Sequence, residues 1–177
     1  MDLSGVLILI SAAFFILLLW IVVGVRHLVT LKKEIRDKWE MVDEKLRKRQ
    51  DIVPLLIETV RDYTDQQEGL IEDLIVARRL AAKEYNPGEQ KIEYEYDLTT
   101  YINKMIDLEK NYDDLSKDTI FLGLKKQIDD LENSIEQSSR EYNEFVRKYN
   151  SSRNFALLRP LAAVFNYKVE DIFEVEE

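Results

Sequence analysis

The feature that most limits what this chain can fold into is an apolar run from Leu3 to Val25, LSGVLILISAAFFILLLWIVVGV, without one charged residue. As a helix it rises about 1.5 Å per residue and reaches roughly 35 Å, enough to cross a hydrocarbon layer of about 30 Å. In lipid the backbone must satisfy its own hydrogen bonds, so a single segment crosses only as a helix. The leading MDLSG lacks the basic region of a signal peptide, so a retained anchor is expected. Basic residues set orientation, and they follow the run as Arg26, Lys32, Lys33, Arg36 and Lys38. They place the amino terminus outside and the following domain in the cytoplasm, with Trp20 near the cytoplasmic interface. Trp20, Arg26, Lys32, Lys33 and Arg36 are therefore the expected membrane-flanking residues. The basic ones are either ordinary stop-transfer flanks or contacts to anionic headgroups, at about 1 kcal/mol each.

The remainder of the 177 residues is long enough to bury a core. One third of the chain is charged, and only five Gly and three Pro occur, which suits long helices and argues against a sheet protein. A net charge of −9 leaves no domain-wide basic surface, so nucleic acid is excluded as an expected partner. There is no Cys, which removes disulfide and thiolate chemistry. A single histidine, His27, removes most catalytic dyads and transition-metal sites.

Beyond the anchor, Leu28, Leu31, Ile35, Trp39, Val42 and Leu46 recur at alternating steps of three and four and make one apolar stripe. Pro54 follows a charged patch, Arg47-Lys48-Arg49-Gln50-Asp51. Proline inside a helix loses a hydrogen bond and crowds the carbonyl four residues back, whereas in a first turn it costs little. A tight turn near 49–52 with Asp51 as N-cap is the expectation, and one kinked helix is the alternative. A second helix is predicted from 52 to 85, ended by Asn86-Pro87-Gly88, and a third from 89 to 112 with an acidic, solvated face that includes Glu93, Glu95 and Asp97. The fourth, capped by Ser116 or Asp118, carries the cleanest heptads: Phe121, Leu124, Ile128, Leu131, Ile135, Ser138, Tyr142, Phe145 and Tyr149. The apolar segment 155–165, with Pro160 inside it, reads as a short helix folded back on the bundle. The acidic tail is expected to fray.

These residues resemble the LemA family of bacterial membrane proteins. The most specific piece is Leu46 to Tyr63, LRKRQDIVPLLIETVRDY, with Trp39 upstream and Ala77-Arg78 downstream. A second is Arg140 to Asn150, REYNEFVRKYN, similar to the family's double Tyr-Asn signature, and the Phe-rich end through Ile172-Phe173-Glu174 matches too. Ala156 stands where the family usually has Pro, and Asn166-Tyr167 where Gly-Phe is common, which bears on the carboxy-terminal turn. The resemblance implies four long helices behind one span in a bacterial inner membrane. It implies no established enzymatic activity.

Tyr142-Asn143 and Tyr149-Asn150 repeat at seven residues, so each residue type returns to one helix face. They read either as a recognition surface or as polar groups fixing helix register. Arg47, Arg49, Asp51, Glu58, Arg78 and Arg140 are expected to form a charged network with them, a clamp holding the 49–54 turn, with a ligand pocket at that turn as the alternative. Glu58 is the best candidate for a general base because it follows an apolar run, but no catalytic constellation surrounds it. Glu-x-x-His pairs of the bundle metal type, a P-loop and a dinucleotide fingerprint are all missing, so no catalytic residue, metal ligand or cofactor is assigned.

The expected architecture is all-α: an N-terminal transmembrane helix (1–26), an antiparallel up-and-down four-helix bundle (27–153), and a short C-terminal helix with an acidic tail (154–177). The leading function is a membrane-anchored, non-enzymatic scaffold or adaptor at the bacterial inner membrane. Its partners would be the lipid bilayer and a second copy or another membrane protein, with no small-molecule substrate. Off-stripe apolar residues Ile57, Ile102, Ile106 and Leu122 are the expected contacts. A lipid-surface or membrane-remodelling protein is the alternative, and a sensor or enzyme the remote one.

Overall fold

The computed structural model describes residues 3–63 and 66–174, and among these the chain is all helix and connection, with no strand. Helix α1 spans Leu3–Arg61, α2 Glu68–Lys83, α3 Glu89–Ile106, α4 Thr119–Asn154 and α5 Arg159–Val164. Two 3₁₀ turns, Asp107–Lys110 and Leu115–Lys117, join α3 to α4.

The turn expected near 49–52 does not form. Helix α1 runs 59 residues with Pro54 inside it. Pro54 has no N–H, so the carbonyl of Gln50 loses its usual donor. Arg78 of α2 replaces that donor: its Nε donates to the Gln50 oxygen at 2.6 Å. A helix continues through proline when another group re-satisfies the freed carbonyl and the turn is packed. Val53 just before the proline, and Leu56 and Val60 after it, are fully buried. The second helix accordingly starts at Glu68 rather than at residue 52.

The chain forms two compact units, each described by itself. The first takes residues up to Asp37 and Glu144–Glu170; the second takes Lys38–Asn143 and the residues from Asp171. Helices α1 and α4 contribute to both.

In the second unit one hydrophobic core joins Val53, Leu56 and Val60 of α1, Ile71, Leu74 and Ala81 of α2, Leu98, Ile102 and Met105 of α3, and Phe121 and Ile128 of α4. Helices α2 and α3 pack as a hairpin, and Lys91 closes its end by donating to the Ala81 carbonyl at 2.8 Å. Asp118 is the N-cap of α4: its Oδ1 accepts from the Phe121 N–H at 2.7 Å, and its Oδ2 accepts from the Tyr63 hydroxyl at 2.7 Å. The Phe121 N–H first, and then the Tyr63 hydroxyl, hold the Asp118 carboxyl below the ordinary aspartate value.

In the first unit the side chains from Leu7 to Val23 are largely uncovered by protein. This is one helix long and apolar enough to span a membrane. Where the charged residues begin, Leu28, Leu31 and Ile35 are buried with Val146 and Tyr149 of α4. Helix α5 lies against α1 at Gly24, where an added Cβ would sit 2.6 Å from Leu161 Cδ1. The chain leaves α5 through Asn166 at φ 53°. The Tyr167 N–H returns to the Ala162 carbonyl at 2.9 Å and the Asn166 N–H to Ala163 at 3.3 Å, a Schellman closure. Asparagine tolerates the left-handed region, so the turn closes here without a glycine.

Candidate functional site

Two polar assemblies stand out, and neither is the network read from the sequence. The first lies inside the helices of the second unit. Arg49 falls on the apolar stripe of α1, between Leu46 and Val53, and its side chain is 1% exposed. It donates through Nη2 to Glu95 Oε2, and through Nη1 to Glu132 at 2.6 Å and the Thr99 hydroxyl at 2.7 Å. Lys91, also buried, reaches Glu95 Oε1 at 2.8 Å, and the Gln50 amide donates to the same oxygen at 3.0 Å. Burial acts against the charged guanidinium of Arg49, but Glu132 and Glu95 outweigh it and hold its pKa above the ordinary arginine value. Two buried cations thus meet the buried Glu95 and the half-buried Glu132, so the cluster is neutral, which is how buried charge is tolerated.

Glu95 therefore corrects the reading of α3 as carrying a solvated acidic face: it is fully buried, while Glu93 is exposed. The signal was present in the sequence. An arginine in step with Leu46, Val53 and Leu56 must be buried, and a buried arginine needs a carboxylate.

The second assembly explains the Tyr-Asn repeat. Within the second unit, Asn143 Nδ2 donates to the Phe173 carbonyl at 2.9 Å, and its Oδ1 accepts from the Phe173 N–H at 2.8 Å. The Tyr142 hydroxyl donates to the Asp171 carbonyl at 2.9 Å. Within the first unit, Asn150 does the same for Glu170, at 2.8 and 3.1 Å, and Tyr149 donates to the Lys168 carbonyl at 2.9 Å. Each asparagine amide mimics the edge of a strand and pairs both backbone groups of one residue.

The spacings match. Seven residues of helix advance about 10.5 Å, and three residues of extended chain advance about 10 Å. A period of seven on α4 therefore meets a period of three on the tail, 168 to 171 and 170 to 173. The tail does not fray as expected: Phe173 is fully buried, at 5.1 Å centroid distance edge-on to Trp39. Residues 175–177 of the tail lie outside the described residues.

The other expected site residues are dispersed. Trp39 packs on Tyr142 and Phe173, and its Nε1 donates to the Tyr85 carbonyl at 2.9 Å. Arg47, itself in solvent, pairs with the buried Asp43 at 2.6 Å. Asp51 is exposed and lies 4.0 Å from Arg78 Nη2. Arg140 pairs with Glu136 one turn back, again in solvent. Glu58 is exposed, which removes the burial that its reading as a base required. Of the basic flank, Lys32 pairs with Glu170 at 2.8 Å, a hydrogen bond that raises its pKa. Arg26, Lys33 and Arg36 are exposed.

The LemA family profile matches residues 38–177, most of the chain. The protein belongs to the LemA family. No curated protein matches it. The LemA profile begins just before Trp39, so every residue of the buried charge cluster and of the tail clamp lies inside it. The apolar run lies before it.

Proposed function

We propose that this LemA protein is a membrane-anchored helical adaptor without catalytic activity. Its apolar run crosses a bacterial inner membrane, the amino terminus lies outside, and the helices behind it stand in the cytoplasm. There they associate with a second copy or another membrane protein. The observation that carries the reading is the contrast along α1. Its first apolar side chains are largely without protein cover, while past Arg26 the apolar stripe of Leu28, Leu31 and Ile35 is buried. Anchoring raises the effective concentration of the domain at the bilayer, so weak contacts suffice for assembly.

The contacts are revised by burial. Ile57, Ile102 and Ile106 belong to the core and do not reach a partner. Leu122 remains exposed, with Ile120 beside it at 58% exposure. The experiment is energy transfer between labelled full-length copies in vesicles, comparing the wild type with Ile120→Lys/Leu122→Lys. Loss of transfer at unchanged helicity is the expected result. Equal transfer in both proteins removes this face from the assembly.

A further inference from the structure

Beside the anchor the first unit contains an open groove of about 550 Å³. One wall is Ile16, Leu19, Trp20 and Val23 of α1; the other is Phe155 and Leu157. We infer that this groove binds a phospholipid acyl chain, and that the turn 155–165 is a second membrane-inserted element beside the span. The inference rests on the anchoring proposed above.

Depth is the first argument. Ile16 lies nine residues inside the last apolar position, about 13 Å along the helix axis, so a groove that includes it opens onto hydrocarbon. The second is the composition of the turn. Phe155, Leu157 and Val164 are 57%, 60% and 78% exposed, an unfavourable arrangement in water and an ordinary one in lipid. Leu161 and Ala162, by contrast, face inward, and the absent side chain of Gly24 lets α5 approach α1 closely. The third is polar. Trp20 Nε1 is buried and has no hydrogen-bond partner among the described residues. An acyl chain that parts the groove walls at Trp20 would bring its ester carbonyl to that N–H, at the level where tryptophan prefers to sit.

A second protein copy would need to present an apolar segment at this same depth. Lipid already fills that layer as its solvent.

The chain contains no Cys, so single cysteines report cleanly. Full-length Leu157→Cys, Val22→Cys and Lys126→Cys are reconstituted in vesicles of phosphatidylcholine and phosphatidylglycerol. They are treated with a small membrane-permeant maleimide, which needs a thiolate in water. Lys126→Cys, on the exposed face of α4, reacts fast. Val22→Cys is protected, and Leu157→Cys reacts about tenfold or more slowly than Lys126→Cys, because lipid excludes water. A fluorophore on Leu157→Cys is then quenched by phosphatidylcholine carrying a nitroxide on its acyl chain. If Leu157→Cys reacts as fast as Lys126→Cys while Val22→Cys stays protected, the anchor stands and the inserted turn is overturned. Protection of Leu157→Cys without quenching means that protein covers the groove, which overturns the lipid. If Val22→Cys also reacts fast, the anchoring reading itself fails.

Discussion

Replacing Arg78 by alanine tests why α1 passes through a proline. Arg78 Nε donates to the Gln50 carbonyl at 2.6 Å, and Gln50 is 5% exposed. Without Arg78 the carbonyl has neither its helical donor nor a substitute, and an unsatisfied buried acceptor costs about 1–3 kcal/mol. Arg78 itself is 38% exposed, so water recovers part of that loss, and about 2 kcal/mol is the expected destabilisation. In a Pro54→Ala background residue 54 regains its N–H and satisfies Gln50 from within the helix. There the same Arg78→Ala change should cost about 0.5 kcal/mol, the usual scale of a surface substitution. The coupling between the two positions is then about 1.5 kcal/mol. Urea unfolding of the four full-length proteins in micelles, followed by circular dichroism, measures the cycle. Equal cost of Arg78→Ala in both backgrounds refutes the substitution of donor for donor.

Three further outcomes follow from the two polar assemblies and the α4 cap. Glu95→Gln leaves Arg49 and Lys91 short of an anion in the core and should destabilise by about 3–5 kcal/mol, read as a lowered urea midpoint. Asn143→Ala strips both backbone groups of Phe173 of their partners and should cost about 2–3 kcal/mol, with faster carboxypeptidase release of the tail as its direct readout. Asp118 has a folded pKa below its unfolded value of about 3.9, so its contribution is full above that value and disappears as pH falls through the folded one. Asp118→Asn should therefore lower the neutral plateau and flatten the acid limb, so that urea midpoints of the two proteins converge as pH falls through the folded pKa.

Much of the fold was legible from apolar spacing alone. The stripe Leu28, Leu31, Ile35, Trp39, Val42 and Leu46 is buried throughout, and so are Phe121, Leu124, Ile128 and Tyr149 on α4. Periodicity reads burial well because each helix must turn one face to its neighbours. Misreadings came where a distant residue changed the local rule. Pro54 reads as a boundary only if the carbonyl four residues back stays unpaired, and its partner lies 28 residues on from Gln50. Glu95 reads as solvated from its own helix and as buried only once Arg49 is seen to need it. The tail reads as acidic and loose because its anchorage is through backbone groups, to which Tyr142, Asn143, Tyr149 and Asn150 bind without regard to tail side chains. Only the matching of seven helical to three extended residues reveals it.

The most direct measurement is the mass of the full-length protein extracted with its lipids, followed across a wide concentration range. An anchored adaptor of the kind proposed should run as a defined oligomer, or as a stable complex with one membrane partner. A strict monomer with no partner at every concentration contradicts it.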